Sequence, residues 1–292
     1  MNFFKLNDIC IANCDNFESD SVLGLYNSGL LNSHSNLQNI VINNDISGIS
    51  SRITTKLKKR MSSLSQGVCF VLDSSIKDKI LETDSIYFFT AYGEIDTTDR
   101  IIKSIVLDNS NLVSPTDFHN SVHNTPLSYY TIINQLHNPA ITISDGNNTG
   151  ETFIQYLNNM IQLNERAVIC SGDESSSFFS LDSVIHKEIV SSFCSFTVEP
   201  NTNSGGRFLG FFQKLDVILK QKEFLDANNI FCSKDLANIF KDSTKTVISE
   251  YAIVKDSPCG IIYRLLLPFY LKMNGIVIEQ TSMGYAFYEV KL

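Results

Sequence analysis

Residues 139–174 carry the pattern that most restricts the fold of this chain. A short apolar strand, Ala140–Ser144, precedes a polar turn, a helix predicted over Gly150–Leu163 and a second apolar strand over Ala167–Ser171. Short apolar strands that alternate with a helix of this length are typical of an α/β protein.

The same alternation continues along the chain. No Pro- or Ser-rich linker divides it, so we predict one domain over residues 1–292. No tandem repeat of 20–50 residues is found, and residues 15–50 and 201–206 are predicted to be irregular. Besides those above, we predict strands at 9–12, 86–90, 193–198, 276–280 and 285–290, the last two as a hairpin. Further helices are predicted at 54–65, 75–81, 97–108, 127–137, 207–226 and 260–273.

Composition excludes several classes of protein. The chain is 43% apolar and 18% charged, which is typical of a globular protein. Its net charge of −8 argues against a nucleic-acid partner. The longest apolar stretch, residues 261–271, contains Arg264 and is too short to span a membrane. No signal peptide is apparent at the start, so we expect a soluble, cytoplasmic protein.

Seven cysteines, an odd number with no CxxC pair, suggest reduced thiols used as small core residues. No cluster of Cys and His has the spacing of a metal site, and we expect neither a metal nor another cofactor.

The turn after Ala140–Ser144 resembles a nucleophile elbow without a nucleophile. Such a strand-turn-helix exposes one side chain at the helix N-terminus. Here the turn is Asp145, Gly146, Asn147 and Asn148, and it contains no cysteine. The nearest hydroxyls belong to Ser144 and Thr149.

A polar segment, Ser114–Thr125, precedes this unit and holds two of the five histidines. His123 and Asn124 are candidates for catalysis, with Asp145 or Asp117 orienting the imidazole. The favoured alternative is that they bind buried backbone near a subunit interface. We assign the same interface or tunnel-wall role to three more residues of the segment: His119, Ser121 and Thr125.

Five ordered segments resemble the β-ketoacyl synthase family, in particular short synthase-like proteins of aryl-polyene and type II polyketide pathways. They are Arg60–Gln66, Phe89–Ile95, Ser114–Thr125, Ile141–Gly146 and Val168–Glu174. The resemblance implies a thiolase-like layered α/β fold, with an N-terminal half at 1–175 and a shortened C-terminal half at 176–292.

The resemblance also implies where catalytic residues would be. A ketosynthase cysteine would fall within Asp145–Asn148, and its two histidines near 199–203 and 256–260. None of these positions has the required residue. We therefore expect no catalytic residues, with His123, Ser144 and Cys259 as remaining candidates. Cys259 precedes a helix, a position that suits a thiolate of low pKa.

The favoured hypothesis is a catalytically silent subunit that pairs with an active ketosynthase and shapes its acyl tunnel, as a chain length factor does. It would act in aryl-polyene, polyketide or fatty-acid-type synthesis. The alternatives are a divergent acyltransferase or thioesterase, or a homodimeric scaffold. Acyl carrier proteins are acidic, so we expect an acidic chain to meet one only indirectly. The basic run Lys56–Arg60 is the one local exception.

Overall fold

The computed structural model describes residues 3–13, 53–76, 79–107, 112–174, 192–240, 242–249 and 259–292. The predicted irregular segment 15–50 lies outside these residues, as does most of the second implied histidine position, 256–258. The described residues include ten strands: β1 Phe3–Asn13, β2 Ser85–Thr90, β3 Ala140–Ser144, β4 Ala167–Asp173, β5 Ser192–Asn201, β6 Gly205–Phe212, β7 Asn229–Cys232, β8 Thr246–Ser249, β9 Gly275–Thr281 and β10 Gly284–Lys291.

Ten α-helices accompany these strands, and a 3-10 turn, Gly146–Asn148, connects β3 to the sixth helix. The helices are α1 Thr55–Lys58, α2 Ser63–Ser75, α3 Ile95–Val106, α4 Pro115–Asn120, α5 Thr125–Ile133, α6 Thr149–Leu163, α7 Leu215–Ile218, α8 Lys222–Asp226, α9 Lys234–Ile239 and α10 Gly260–Leu271.

The sheet is built from two halves with the same topology. Its strand order is β3-β2-β4-β5-β1-β6-β10-β9-β7-β8. In the first half β2 is parallel to β3 and β4, whereas β5 is antiparallel to β4 and β1. In the second half β7 is parallel to β8 and β9, whereas β10 is antiparallel to β9 and β6. The α/β prediction is confirmed, and each half contributes five strands.

Three apolar clusters give the fold its layers. The central one packs α6 and α10 against strands of both halves. An outer cluster holds α2 and α5 on the first half, and another holds α7–α9 on the second. Two half-sheets thus lie between three helical layers. Helices α6 and α10 share the central layer, and their N-termini meet close to the end of β3. Gly150 of α6 packs so closely against Ile261 of α10 that a Cβ on Gly150 would crowd the Ile261 side chain.

The predicted helix at 207–226 is wrong. Residues 205–212 form β6, which pairs antiparallel with β10, and the only helices in the predicted range are the short α7 and α8. Phe208, Phe211 and Phe212 favour a strand once partner strands are available, because aromatic residues pack well on a pleated surface. Gly210, at φ +138°, lies beside a register shift in this pairing.

The two halves join at β1 and β6, where Phe4 pairs with Gly206. A Cβ on Gly206 would overlap the Phe4 ring, and one on Gly205 would overlap the Phe4 carbonyl oxygen. Gly205 also has φ +116°, a backbone conformation that residues other than glycine rarely adopt. The Gly-Gly pair therefore permits the two half-sheets to approach each other.

In the described part of the chain, no helix is both long and apolar enough to cross a membrane.

We expect Gly206→Ala to lower the free energy of unfolding by about 2 kcal/mol, because the added methyl group must displace a buried ring. Chemical denaturation of the purified chain measures this loss. In a Phe4→Leu background the same change is expected to cost less, as residues in contact are non-additive. Equal losses in both backgrounds would contradict the contact between Phe4 and Gly206 as the cause.

Candidate functional site

The turn between β3 and α6 has the geometry of an elbow. Gly146 has φ +53°, and Asp145, Asn147 and Asn148 are exposed. The buried Thr149 holds the turn: its hydroxyl oxygen accepts from the Asp145 N–H at 3.0 Å and lies 2.9 Å from the Gly146 carbonyl oxygen. The elbow therefore presents amide and carboxylate side chains to solvent.

A buried carboxylate, Asp173 at the end of β4, organises the backbone beside the elbow. Its Oδ1 accepts hydrogen bonds from the Thr90 hydroxyl at 2.9 Å, the Ala91 N–H at 2.7 Å and the Tyr92 N–H at 3.3 Å. Its Oδ2 accepts from the Cys259 thiol at 3.2 Å. Burial raises the pKa of Asp173, and these donors oppose that rise. One carboxyl group thus ties together β2, β4 and the start of α10.

The loop held by Asp173 in turn contacts the elbow. The Ser144 hydroxyl donates to the Ala91 carbonyl at 2.9 Å, and the Tyr92 hydroxyl donates to the Asn147 side-chain carbonyl at 2.6 Å. Burial raises the pKa of Tyr92, which keeps the hydroxyl protonated as a donor. The Asn147 side chain is therefore held in position, and Ser144 uses its proton in a bond to backbone.

Cys259 differs from its sequence-based interpretation. It lies before α10 as predicted, but it is only 1% exposed. Burial, and next the nearby Asp173, raise the pKa of its thiol well above the ordinary value, opposite to the expected lowering. The helix N-terminus favours a thiolate, yet here desolvation outweighs it. All six cysteines in the described residues are buried: Cys10, Cys69, Cys170, Cys194, Cys232 and Cys259.

The side chains of the polar segment Ser114–Thr125 mainly form hydrogen bonds to backbone groups. The Thr125 hydroxyl donates to the His119 carbonyl at 2.9 Å, and the Ser121 hydroxyl donates to the Phe118 carbonyl at 2.8 Å. Asn120 is buried; its amide donates to the Arg60 carbonyl at 2.6 Å. These bonds hold α4 against neighbouring elements. Sequence reasoning missed Asn120, although it lies in the same segment.

The two histidines of this segment lie apart from the carboxylates proposed to orient them. The exposed His123 ring packs over Gly93, leaving no room there for a Cβ, while His119 makes an edge contact with Tyr129. Asp145 accepts from the Thr152 hydroxyl at 2.7 Å, and Asp117 lies 3.6 Å from Arg100. Both carboxylates therefore interact with groups other than His123. Asn124 is exposed at the start of α5.

Helix α3 buries polar residues and exposes apolar ones. Thr97 and Asp99 are buried, whereas four apolar residues near its C-terminal end are exposed: Ile102, Ile105, Val106 and Leu107. Four further apolar side chains are exposed in the first half: Phe118 on α4, Val122 between α4 and α5, Ile132 on α5 and Ile141 on β3. We call these eight side chains the apolar face. The buried polar residues lie toward the start of α3 and the exposed apolar residues toward its end, a distribution that the sequence alone does not show.

The charges beside the apolar face are paired with one another. Arg100 lies 2.8 Å from Asp96 and 3.6 Å from Asp117, and Lys103 lies 2.5 Å from Asp99. Among the described strands, β3 is the outermost of the first half and pairs with β2 on one side. The chain thus combines an edge strand with apolar side chains and little unpaired charge.

Three comparisons with known proteins bear on this arrangement. Residues 39–174 match the family described as beta-ketoacyl synthase, N-terminal domain. No curated protein matches the chain.

Solved structures similar to this chain cover nearly all of it. One chain of the solved complex between a ketosynthase and its chain length factor from Xenorhabdus doucetiae is 11% identical, with a TM-score of 0.58 over 98% of this chain and 99% of the matched chain. The ishigamide ketosynthase/chain length factor is 10% identical, with a TM-score of 0.62 over 99% and 100%. A β-ketoacyl synthase of Burkholderia phymatum is 8% identical, with a TM-score of 0.62 over 100% of both chains.

The matched regions cover both halves of the sheet. The duplicated five-strand topology, which sequence comparison at this distance does not reveal, extends through the C-terminal half. The match to the family model of the beta-ketoacyl synthase N-terminal domain thus covers residues 39–174, and the chain as a whole has the thiolase-like layered α/β fold of these solved structures.

Proposed function

We propose that this chain is a catalytically silent ketosynthase-like subunit that pairs with an active β-ketoacyl synthase and helps to shape its acyl tunnel, as a chain length factor does. The pathway would be aryl-polyene, polyketide or fatty-acid-type synthesis. The observation that carries the proposal is the edge strand β3 beside the apolar face, next to an elbow that has no cysteine. We expect the pair in the cytoplasm, where free thiols stay reduced.

The edge strand supports pairing with another protein. An unpaired strand edge offers a row of N–H and C=O groups to a second chain. The similar solved structures include ketosynthases in complex with chain length factors. A partner of the same fold could extend the sheet across β3.

The apolar face supports a protein partner of low local charge. A chain of net charge −8 repels other acidic proteins over most of its surface. At the apolar face this repulsion is weak, because the cations Arg100 and Lys103 offset nearby carboxylates. An acyl carrier protein, itself acidic, would then reach the complex through the ketosynthase.

The burial of the described thiols supports the proposal that the chain is catalytically silent. A ketosynthase needs a thiolate that reaches an acyl thioester. Here the elbow side chains are exposed and are not thiols, whereas the thiols are buried. Burial also raises the pKa values of Cys10, Cys69, Cys170, Cys194 and Cys259, which keeps them protonated.

We expect Ile141→Lys to weaken binding to the ketosynthase encoded in the same operon at least tenfold, because a lysine at an edge strand opposes pairing with another strand. Surface plasmon resonance with the co-expressed partner measures the affinity. Leu225→Lys is the matched control, as Leu225 is 63% exposed on α8 of the other half. Equal affinity of the Ile141 variant and the wild type would contradict docking at β3.

We expect no acyl adduct on the wild-type chain after incubation with acyl-CoA or acyl-carrier thioesters, as measured by intact mass. Asn147→Cys is the positive control, because it places an exposed thiol at the start of a helix, where its pKa is lowered. That variant should react with iodoacetamide faster than the wild type. An adduct at Ser144 of the wild type would instead support the divergent acyltransferase or thioesterase.

A further inference from the structure

Two buried carboxyl groups meet at the N-terminus of α2. Glu94, the residue before α3, accepts hydrogen bonds from the Ser62 hydroxyl at 2.5 Å and the Ser65 hydroxyl at 3.1 Å on Oε1. Its Oε2 accepts from the Thr97 hydroxyl at 3.0 Å. Glu94 therefore joins the first turn of α2 to the first turn of α3.

The second carboxyl group, Glu174, follows β4. Its Oε2 accepts from the Leu64 N–H of α2 at 3.1 Å. Its Oε1 is buried and has no hydrogen-bond partner within the described residues. An ionised oxygen in that position would be costly. Burial, and then the charges of Glu94 and Asp96, raise the pKa of Glu174 to about 8.

The charged groups around this pair are mostly negative. From α3 and the residue before it, Glu94, Asp96 and Arg100 act on Glu174, and only Arg100 favours its ionised form. Arg100 is already paired with Asp96 and Asp117. On α5, Tyr129 lies near Glu94. Burial, and next the charge of Glu94, raise the pKa of the Tyr129 hydroxyl, so this group carries no charge near neutral pH. Arg60 also lies in this region, where its charge opposes the rise in the pKa of Tyr129, but among the described groups that act on Glu174 the acidic ones predominate.

We propose that Glu94 and Glu174 form a proton-dependent clasp, which holds α2 and α3 together while Glu174 is neutral and loosens α3 when Glu174 loses its proton. Glu94 belongs to the start of α3, whose far end supplies half of the apolar face. Loosening the clasp would therefore disturb the surface that meets the ketosynthase. This regulation rests on the proposed function, because it acts on the same partner surface.

The direction of the effect follows from the protonation states. The neutral form of Glu174 predominates below about pH 8, so the clasp is closed near pH 7 and mostly open at pH 9. If only the closed form binds, apparent affinity falls with the closed fraction. From pH 7 to pH 9 the affinity is then expected to fall about tenfold.

The test compares the pH dependence of ketosynthase binding for the wild type and Glu174→Gln between pH 6 and pH 9. The amide side chain of glutamine can still accept from Leu64 and cannot ionise. After correction for the partner's own pH dependence, we expect the affinity of the wild type to be about tenfold lower at pH 9 than at pH 7. We expect the affinity of the variant not to change with pH. Glu82→Gln, at an exposed position, is the matched control and should behave as the wild type.

A second measurement uses the chain alone. Hydrogen exchange of α3 amides, expressed as protection factors, should fall between pH 7 and pH 9 in the wild type and not in Glu174→Gln or Glu94→Gln. Protection that is independent of pH in the wild type would overturn the clasp. Because this readout needs no partner, failure of the clasp is distinguishable from failure of the proposed pairing, which would show as no binding at any pH.

Discussion

The candidate site depends on one buried carboxyl group, that of Asp173. It takes hydrogen bonds from both β2 and the loop after it, and from the thiol of Cys259 at the start of α10. Such a group is tolerated inside the protein because its donors offset the cost of burial. Through Ala91 and Tyr92 it also fixes Ser144 and Asn147 at the elbow. The two halves of the chain and the elbow therefore share a single polar centre.

This centre explains how the turn after β3 keeps its shape without a cysteine. The turn is held by Thr149 and by contacts to the loop after β2, and none of these needs a cysteine. The same arrangement buries the Cys259 thiol against a carboxyl group and so favours its neutral form. What remains exposed at the surface is an edge strand, the apolar face and the elbow amides, which suit binding better than thioester chemistry.

The sequence predicted the strands of the first half well, but it misplaced α2, which lies mostly between the helices predicted at 54–65 and 75–81, and it predicted the second half poorly. Strands such as Ala140–Ser144 were predicted correctly, because their apolar runs are bounded by clear turns. The run after Gly205 looked helical, since pairing with β10 decides its conformation and is not visible locally. The burial of Asp173 and the exposed apolar end of α3 were not predicted for the same reason: burial of a polar residue and exposure of an apolar one are set by tertiary contacts. The family segments nevertheless located the elbow and the fold.

Native mass spectrometry of this chain co-expressed with the ketosynthase of its own operon tests the central claim most directly. The account predicts one dominant species with the mass of one copy of each subunit. Two separate populations, with this chain as a monomer or homodimer and the ketosynthase only with itself, would contradict it.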